Sequence, residues 1–341
     1  MLTKRVVRND SKARMRTNVA AGKQTCETQL RGRLHRKLLR LPYLRKAAHG
    51  CMLFGNETKV GEWDMQTPEE VYNSFAGEYE QSLDIPWMRF YEAATWENIK
   101  EFLPDKNDTV ILDIGGGTGR WSLHLAKEGY RVVLGDISNK MLNVARDKLK
   151  EAGLSDLVDV QRLDICSMSG LAENSFDFIL CQGDPLSYVT NPAKAAAECF
   201  RVAKPGAFFI PSVDCRFPWV TRMASLAEWN RASEIMETGA SQMAYPTGSF
   251  PTHGFSPQEL IDLLEGAGWE VGQIIGKTVL GALLPTETLK QFVNDPHTFH
   301  LLLQLEKQLG AEPSLIGIAS HIETVCQKPD KDLDNNRDAR T

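Results

Sequence analysis

"VILDIGGGTGRWSLHLAKEGYRVVLGDIS", residues 110–138, decides how the chain is read. One apolar run ends at Asp113 and a second ends at Asp136. Between them stand Gly115, Gly116, Gly117 and Gly119, then a segment with helical apolar spacing. Short apolar runs flanking such a segment predict strand, turn, helix, strand. Bare backbone after the first strand lets the chain turn sharply and lets a ligand approach closely. In an open parallel sheet that ligand sits beyond the carboxyl ends of the strands. A nicotinamide dinucleotide is one candidate, but its fingerprint is G-x-G-x-x-G. Here Arg120 occupies the last of those positions, so the spacing is G-x-G-x-G. Asp113 would also place a carboxylate near two phosphate charges. A cationic, phosphate-free ligand suits it better.

The same alternation extends outward. Thr67, Pro68 and Glu70 predict a capping box that opens a helix. A second helix, "WMRFYEAATWENIKEFL", follows Pro86. Strands are expected at 109–114, 131–135, 158–163, 176–182 and 206–213, with helices from Thr118, Asn139 and Pro192 between them. This is an α/β pattern with a mainly parallel sheet. The pattern lapses over 215–255, where helical pieces mix with Gly, Pro and aromatic residues. It returns with the capping box of Ser256, Pro257 and Glu259 and the strand "EVGQII". A helical insertion at 280–313 follows, then "HIETVCQK", which could close the sheet. The main domain is therefore placed at 67–328 and a loose charged tail at 329–341.

Residues 1–46 hold fourteen Lys or Arg against Asp10 and Glu27, a net of +12, which leaves −17 for the rest of a chain totalling −5. The region 1–50 reads as a basic, partly disordered arm. Within it Leu30, Leu34, Leu38 and Leu41 form an amphipathic helix whose stretch, 30–45, suits a membrane surface, a partner, or the chain's own main domain. A transit peptide is a further reading; no secretory signal is expected. Seven scattered cysteines without a C-x-x-C pair suit a reducing compartment such as the cytoplasm and offer no zinc framework. No metal ligand set is expected.

Residues 70–328 resemble the class I S-adenosylmethionine-dependent methyltransferases, through "VILDIGGGTGR", "VVLGDISNKML", "RLDICSM", "FDFILCQGDPLSYV" and "CFRVAKPGAFF" in that order. The resemblance implies a Rossmann-like, mainly parallel seven-stranded sheet with helices on both faces, N-terminal lid helices and helical insertions. It also implies S-adenosylmethionine as cofactor. Asp113, Gly115 and Gly117 would hold the methionine part and Asp136 the ribose. Ile137 and Met141 would sandwich adenine, and Asp164 would accept from its amine, with Ile165 alongside. Gln182 would face the methionine end, under a lid helix carrying Tyr72 and Tyr79. Each also has a plainer role open to it: Asp136 as a helix cap, Asp164 as a turn residue, Met141 as core, and the tyrosines as a packed helix face.

Methyl transfer needs an in-line acceptor, excluded water and, for nitrogen or oxygen acceptors, a base. Asp184, Tyr188, Asp214 and His253 are the candidates, although His253 also reads as an exposed loop histidine. Trp219, Trp229 and Tyr245 suggest an aromatic lining. In "GDPLSY", Leu186 and Ser187 replace the tetrapeptide of amino-directed methyltransferases, which favours a small-molecule acceptor. The chain is also similar to ubiquinone and menaquinone methyltransferases, but its turn reads "KPGA" and their fuller signatures are missing. That similarity implies a lipophilic acceptor reached at a membrane surface. The acidic main body argues against nucleic acid, yet an RNA or protein methyltransferase with the arm as handle, a non-catalytic cofactor-binding subunit, and a thiol-using metalloid methyltransferase through Cys166, Cys181 and Cys215 are the alternatives.

Overall fold

Along the first strand, β1 (Val110–Ile114), Ile111 and Leu112 are both fully buried, although successive side chains point to opposite faces of a sheet. Both faces must therefore be covered, as in a parallel sheet with helices on each side. The computed structural model describes residues 65–330 and has that architecture. The basic arm, the 30–45 helix and the tail beyond residue 330 lie outside the described residues.

In chain order the elements are α1 (Pro68–Ser82), α2 (Pro86–Ile99), β1, α3 (Arg120–Lys127), β2 (Arg131–Asp136), α4 (Asn139–Glu151), β3 (Val158–Arg162) and β4 (Phe176–Cys181). Then follow α5 (Pro185–Tyr188), α6 (Pro192–Val202), β5 (Ala203–Asp214), α7 (Arg216–Ser225), α8 (Trp229–Thr238), β6 (Ala240–Tyr245) and β7 (Gly248–His253). The chain continues through α9 (Pro257–Gly266), β8 (Glu270–Lys277), α10 (Val279–Leu283), α11 (Thr286–Val293), α12 (Pro296–Gly310) and β9 (His321–Gln327).

The main sheet has seven strands in the order β3-β2-β1-β4-β5-β9-β8. Strands β1 to β5 pair in parallel, and β9 runs antiparallel between β5 and β8. One face packs Leu112, Ile114 and Phe209 with Leu260, Leu264 and Trp269. The other packs Ile111, Leu134 and Phe178 with Leu125, Leu142 and Ile99. Both capping boxes form as the sequence predicts, at Thr67 and at Ser256.

The strand order reverses between β1 and β4, which opens a crevice at their carboxyl ends. The 215–255 insertion covers that crevice with α7, α8 and a two-stranded hairpin, β6–β7, that the sequence reading did not anticipate. Val71 and Phe75 of α1 pack on the hairpin's Met243, Tyr245 and Phe250. The 280–313 insertion is helical as expected, but Leu289, Val293 and Leu302 pack against Trp87, Phe90 and Tyr91 of α2. No helix among the described residues is long and apolar enough to cross a membrane.

Candidate active site

A cavity of about 1150 Å³ occupies the crevice. At the β1–β2 end its lining includes the backbone of Gly115–Gly117, then Asp136, Ile137, Met141, Asp164 and Ile165. Asp136 accepts from Gly117 N at 2.9 Å and from Ser138 N at 2.7 Å, so one carboxylate ties the two strand tips together. Burial raises its pKa above the ordinary carboxylate range. It is not the cap of α4; Ser138 is, accepting from Met141 N. Asp164 is exposed at the cavity edge and accepts from Cys166 N at 2.8 Å. This end offers two carboxylates and flat apolar walls, with no lysine or arginine among the residues just named. Such a donor set meets hydroxyl and amine groups well and gives no counter-charge to a phosphate.

Asp113 departs from expectation. It is fully buried and does not line the cavity; its Oδ2 accepts from Ser122 N at 3.0 Å and Ser122 Oγ at 2.6 Å. A buried carboxylate placed on the first turn of α3 fixes the glycine loop from behind. Burial pushes its pKa up to about 6 despite the Ser122 contacts. From the front, Glu80 of α1 holds the loop, bonding Thr118, Arg120 and Lys148.

At the β4–β5 end the cavity is aromatic and acidic. Tyr72, Tyr79, Tyr188, Tyr245 and Trp219 line it, and Phe250 backs the ring cluster. Tyr72 and Tyr245 share a hydroxyl–hydroxyl bond of 2.9 Å, and burial raises the pKa of both. Below them lies a feature absent from the sequence reading: His321. Because β9 is antiparallel, it enters the sheet at the carboxyl ends of its neighbours, and its first residue pairs with Asp214 at the end of β5. His321 Nδ1 stands 2.9 Å from Asp184 Oδ2 and 3.7 Å from Asp214 Oδ1. Asp184 adopts a left-handed backbone, φ 68°, and leaves α5 uncapped. Its side chain turns to the cavity instead. Burial opposes its ionisation, but His321, Lys277 and Ser212 outweigh this and lower its pKa. Asp214 goes the other way, pushed well up by burial and by Asp184.

Gln182 lines this end as expected, but both ends of its amide are engaged, Nε2 on Ile210 O at 2.8 Å and Oε1 by Lys277 Nζ at 2.7 Å. Lys277 also bonds Glu323 Oε2 at 3.0 Å, and Asn98 Nδ2 reaches Glu323 Oε1 at 3.0 Å. His253 does not line the cavity. It is half-buried against the Phe255 ring at 4.5 Å, and burial lowers its pKa. Trp229 is 66% exposed and also outside the lining. The three cysteines do not form a thiol set: Cys166 Sγ contacts Asn191 O, Cys215 Sγ contacts Gly317 O, and Cys181 is fully buried.

Residues 111–206, which carry the glycine loop, the Asp136 tip and Asp184, match the family model of a methyltransferase domain. These findings support the class I S-adenosylmethionine-dependent methyltransferase family. Its cofactor is S-adenosylmethionine. A ubiquinone/menaquinone biosynthesis C-methyltransferase of Haemophilus ducreyi is 28% identical over 229 residues, 64% of this chain and 85% of that protein. A tRNA 5-carboxymethoxyuridine methyltransferase of Escherichia coli is 24% identical over 240 residues, 70% of this chain and 88% of that protein. The fold matches a chain from the solved complex of the Haloferax volcanii Trm112 methyltransferase activator with a methyltransferase, at 16% identity and TM-score 0.51, covering 77% of this chain and 97% of that one.

Proposed function

We propose that this methyltransferase acts on a small, largely apolar acceptor enclosed in the cavity, through a domain spanning 67–328. The observation that carries the reading is one cavity joining two chemically different ends, the polar β1–β2 tips and the aromatic chamber under α1, α7 and β6. Its volume, about 1150 Å³, exceeds the usual range for a single ligand, roughly 300–1,000 Å³. Two ligands side by side fit that shape.

In this reading the backbone of Gly115 and Gly117 seats the methionine part of the cofactor, with Asp113 fixing the loop from behind. Asp136 takes the ribose hydroxyls, Ile137 and Met141 flank the base, and Asp164 accepts from its amine beside Ile165. When bound, S-adenosylmethionine supplies an electrophilic methyl group on a sulfonium. Tyr72 closes over that junction from α1. Gln182 contributes by positioning, since Lys277 and Ile210 already occupy its amide. The acceptor lies against Tyr188, Tyr245 and Trp219, with Asp184 at the chamber floor. Excluding water and aligning the acceptor are what the lid supplies. His253 is left out of this assignment because its ring is outside the cavity. The 215–255 insertion supplies lining residues, whereas 280–313 acts through α2.

A tRNA acceptor is the second reading, favoured by the Escherichia coli relative. It requires a duplex or loop to enter a covered chamber, and it predicts binding that weakens steeply with salt. Labelled S-adenosylmethionine offered with extract from the chain's own source decides between them. Label is expected in the low-molecular-weight fraction; label in RNA or protein would overturn the small-acceptor reading.

A further inference from the structure

Three strand tips that stand side by side in the sheet each bring one metal-type donor to the same place. Asp184 follows β4, Asp214 ends β5, and His321 opens β9, where it pairs with Asp214 across the antiparallel register. One oxygen from each carboxylate and one imidazole nitrogen lie within 4.8 Å of one another. His321 Nδ1 is 2.9 Å from Asp184 Oδ2 and 3.7 Å from Asp214 Oδ1. Donors held at about 2.0–2.2 Å from one ion stand roughly 2.8–3.6 Å apart at right or tetrahedral angles. The three are therefore spaced almost as ligands are. They come from separate stretches of the chain, so no spacing motif announces them.

Hydrogen bonding leaves the cluster incomplete. Nδ1 and Asp184 Oδ2 are close without aligning for a hydrogen bond, and Nδ1 has no other partner. Asp184 Oδ1 and Asp214 Oδ2 are buried without a partner too, in side chains only 4% and 6% exposed. Unsatisfied buried atoms gathered in one place point to an ion or water between them. The charges decide for an ion. Among the described residues neither aspartate forms a salt bridge with a lysine or arginine. Lys277 is bonded to Glu323 at 3.0 Å and to Gln182 at 2.7 Å, and acts on Asp184 only at longer range. Ser212 approaches Asp184, and Tyr188 and Thr252 approach Asp214, but these hydroxyls carry no charge. An imidazolium would balance one of the two buried carboxylates; a divalent cation balances both and takes up the imidazole lone pair. All three residues line the cavity, and the His321 side chain keeps 14% of its surface exposed, so an ion can reach them.

We infer that Asp184, Asp214 and His321 hold one divalent transition-metal ion at the acceptor end of the cavity. Two carboxylate oxygens and one imidazole nitrogen, with no thiolate, suit manganese, iron, cobalt or zinc better than magnesium, which takes oxygen donors. Three protein ligands leave coordination positions open, and an acceptor carrying an oxygen or nitrogen donor can fill one from the cavity. This anchoring of the acceptor rests on the small-acceptor reading above; the ion site does not.

The test uses the full chain, stripped with chelator and titrated with Co²⁺ as a spectroscopic probe. One equivalent is expected to bind, with the visible d–d bands of nitrogen and oxygen ligation and no thiolate charge-transfer band. Zn²⁺ should displace it and excess Mg²⁺ should not. His321→Ala and Asp214→Asn should each weaken binding at least about tenfold, since even the outer partners of a metal site cost that much. The S-adenosylhomocysteine Kd of each variant should stay within about twofold of the parent, which shows that the variants are folded. Azide should shift the bands through the open positions. No Co²⁺ uptake by the parent, or uptake unchanged in both variants, overturns the inference. Bands that azide leaves unmoved overturn the anchoring role. A parent chain that takes up Co²⁺ but not S-adenosylhomocysteine would remove the methyltransferase reading and leave the ion site standing.

Discussion

Lys277 and Glu323 form a 3.0 Å ion pair with side chains 1% and 0% exposed, on the neighbouring strands β8 and β9. Burial works against the charge on Lys277, yet Glu323, Tyr91 and Asp184 together hold its pKa above the ordinary value. The ammonium also orients Gln182, so the pair couples the sheet to the cavity floor. Breaking such a pair from one side leaves a buried charge alone and costs about 3–5 kcal/mol. Lys277→Met is therefore expected to lower the unfolding free energy by about that much in urea titration. Adding Glu323→Leu should recover most of the loss. A single variant as stable as the parent would show that water reaches Glu323.

Asp136 and Asp113 both end strands before turns, but only Asp136 lines the cavity. Asp136→Asn is expected to weaken S-adenosylhomocysteine binding by about 10–100-fold, as loss of charge-assisted hydrogen bonds does. Asp113→Asn should act mainly on stability, because its partner is Ser122. Calorimetric titration and thermal melts on both variants separate the two roles. Equal losses of affinity would place Asp113 in direct contact with the cofactor.

The glycine loop gives a sharper contrast. A Cβ at Gly116 would sit 2.3 Å from Leu134 Cδ1 and 2.7 Å from Asp113 Oδ2, whereas at Gly117 it would meet only Met141 Cε at 3.6 Å. Gly117 has φ 54°, which costs an alanine about 1–2 kcal/mol. Gly116→Ala must displace core atoms and should cost roughly 2–4 kcal/mol, in the overpacking range and above. Denaturant midpoints on G116A and G117A check the ranking. The reverse order would mean that Leu134 and Asp113 move aside readily.

These glycines, Asp136 and the capping boxes were legible because each follows from local chemistry: a turn, a strand end, a helix start. The alternation from β1 to β5 was legible for the same reason. His321 was not, because its place depends on β9 running antiparallel between β5 and β8, a long-range pairing that no local pattern fixes. "HIETVCQK" did read as a closing strand, and an antiparallel closing strand begins at the ligand end of the sheet. Asp113 was expected to face the ligand and is instead buried behind the loop, since a carboxylate near a glycine loop can serve either the ligand or the turn. The β6–β7 hairpin was hidden by Pro246 and Pro251, which blur strand periodicity. No local pattern marks Lys277, because its partner Glu323 lies 46 residues further along the chain.

The last prediction concerns Glu306 of α12, which is 4% exposed and accepts from Leu280 N at 2.8 Å and also at short range from Val279 N. Burial outweighs these bonds and pushes its pKa up to about 7. An acid held above its unfolded value destabilises the fold as pH rises. Below about pH 4 both states carry the proton and the group is neutral in effect. Between about 4.5 and 7 the unfolded chain releases the proton and the native chain keeps it, so stability falls across that window, by roughly 3 kcal/mol at most. Above pH 7 both states are ionised and the penalty is constant. Glu306→Gln should flatten this part of the pH profile and raise the melting temperature at pH 8 relative to the parent. Chemical denaturation of both proteins at pH 5, 6, 7 and 8 measures it, and parallel profiles would mean that the carboxylate is already ionised and hydrated at pH 5.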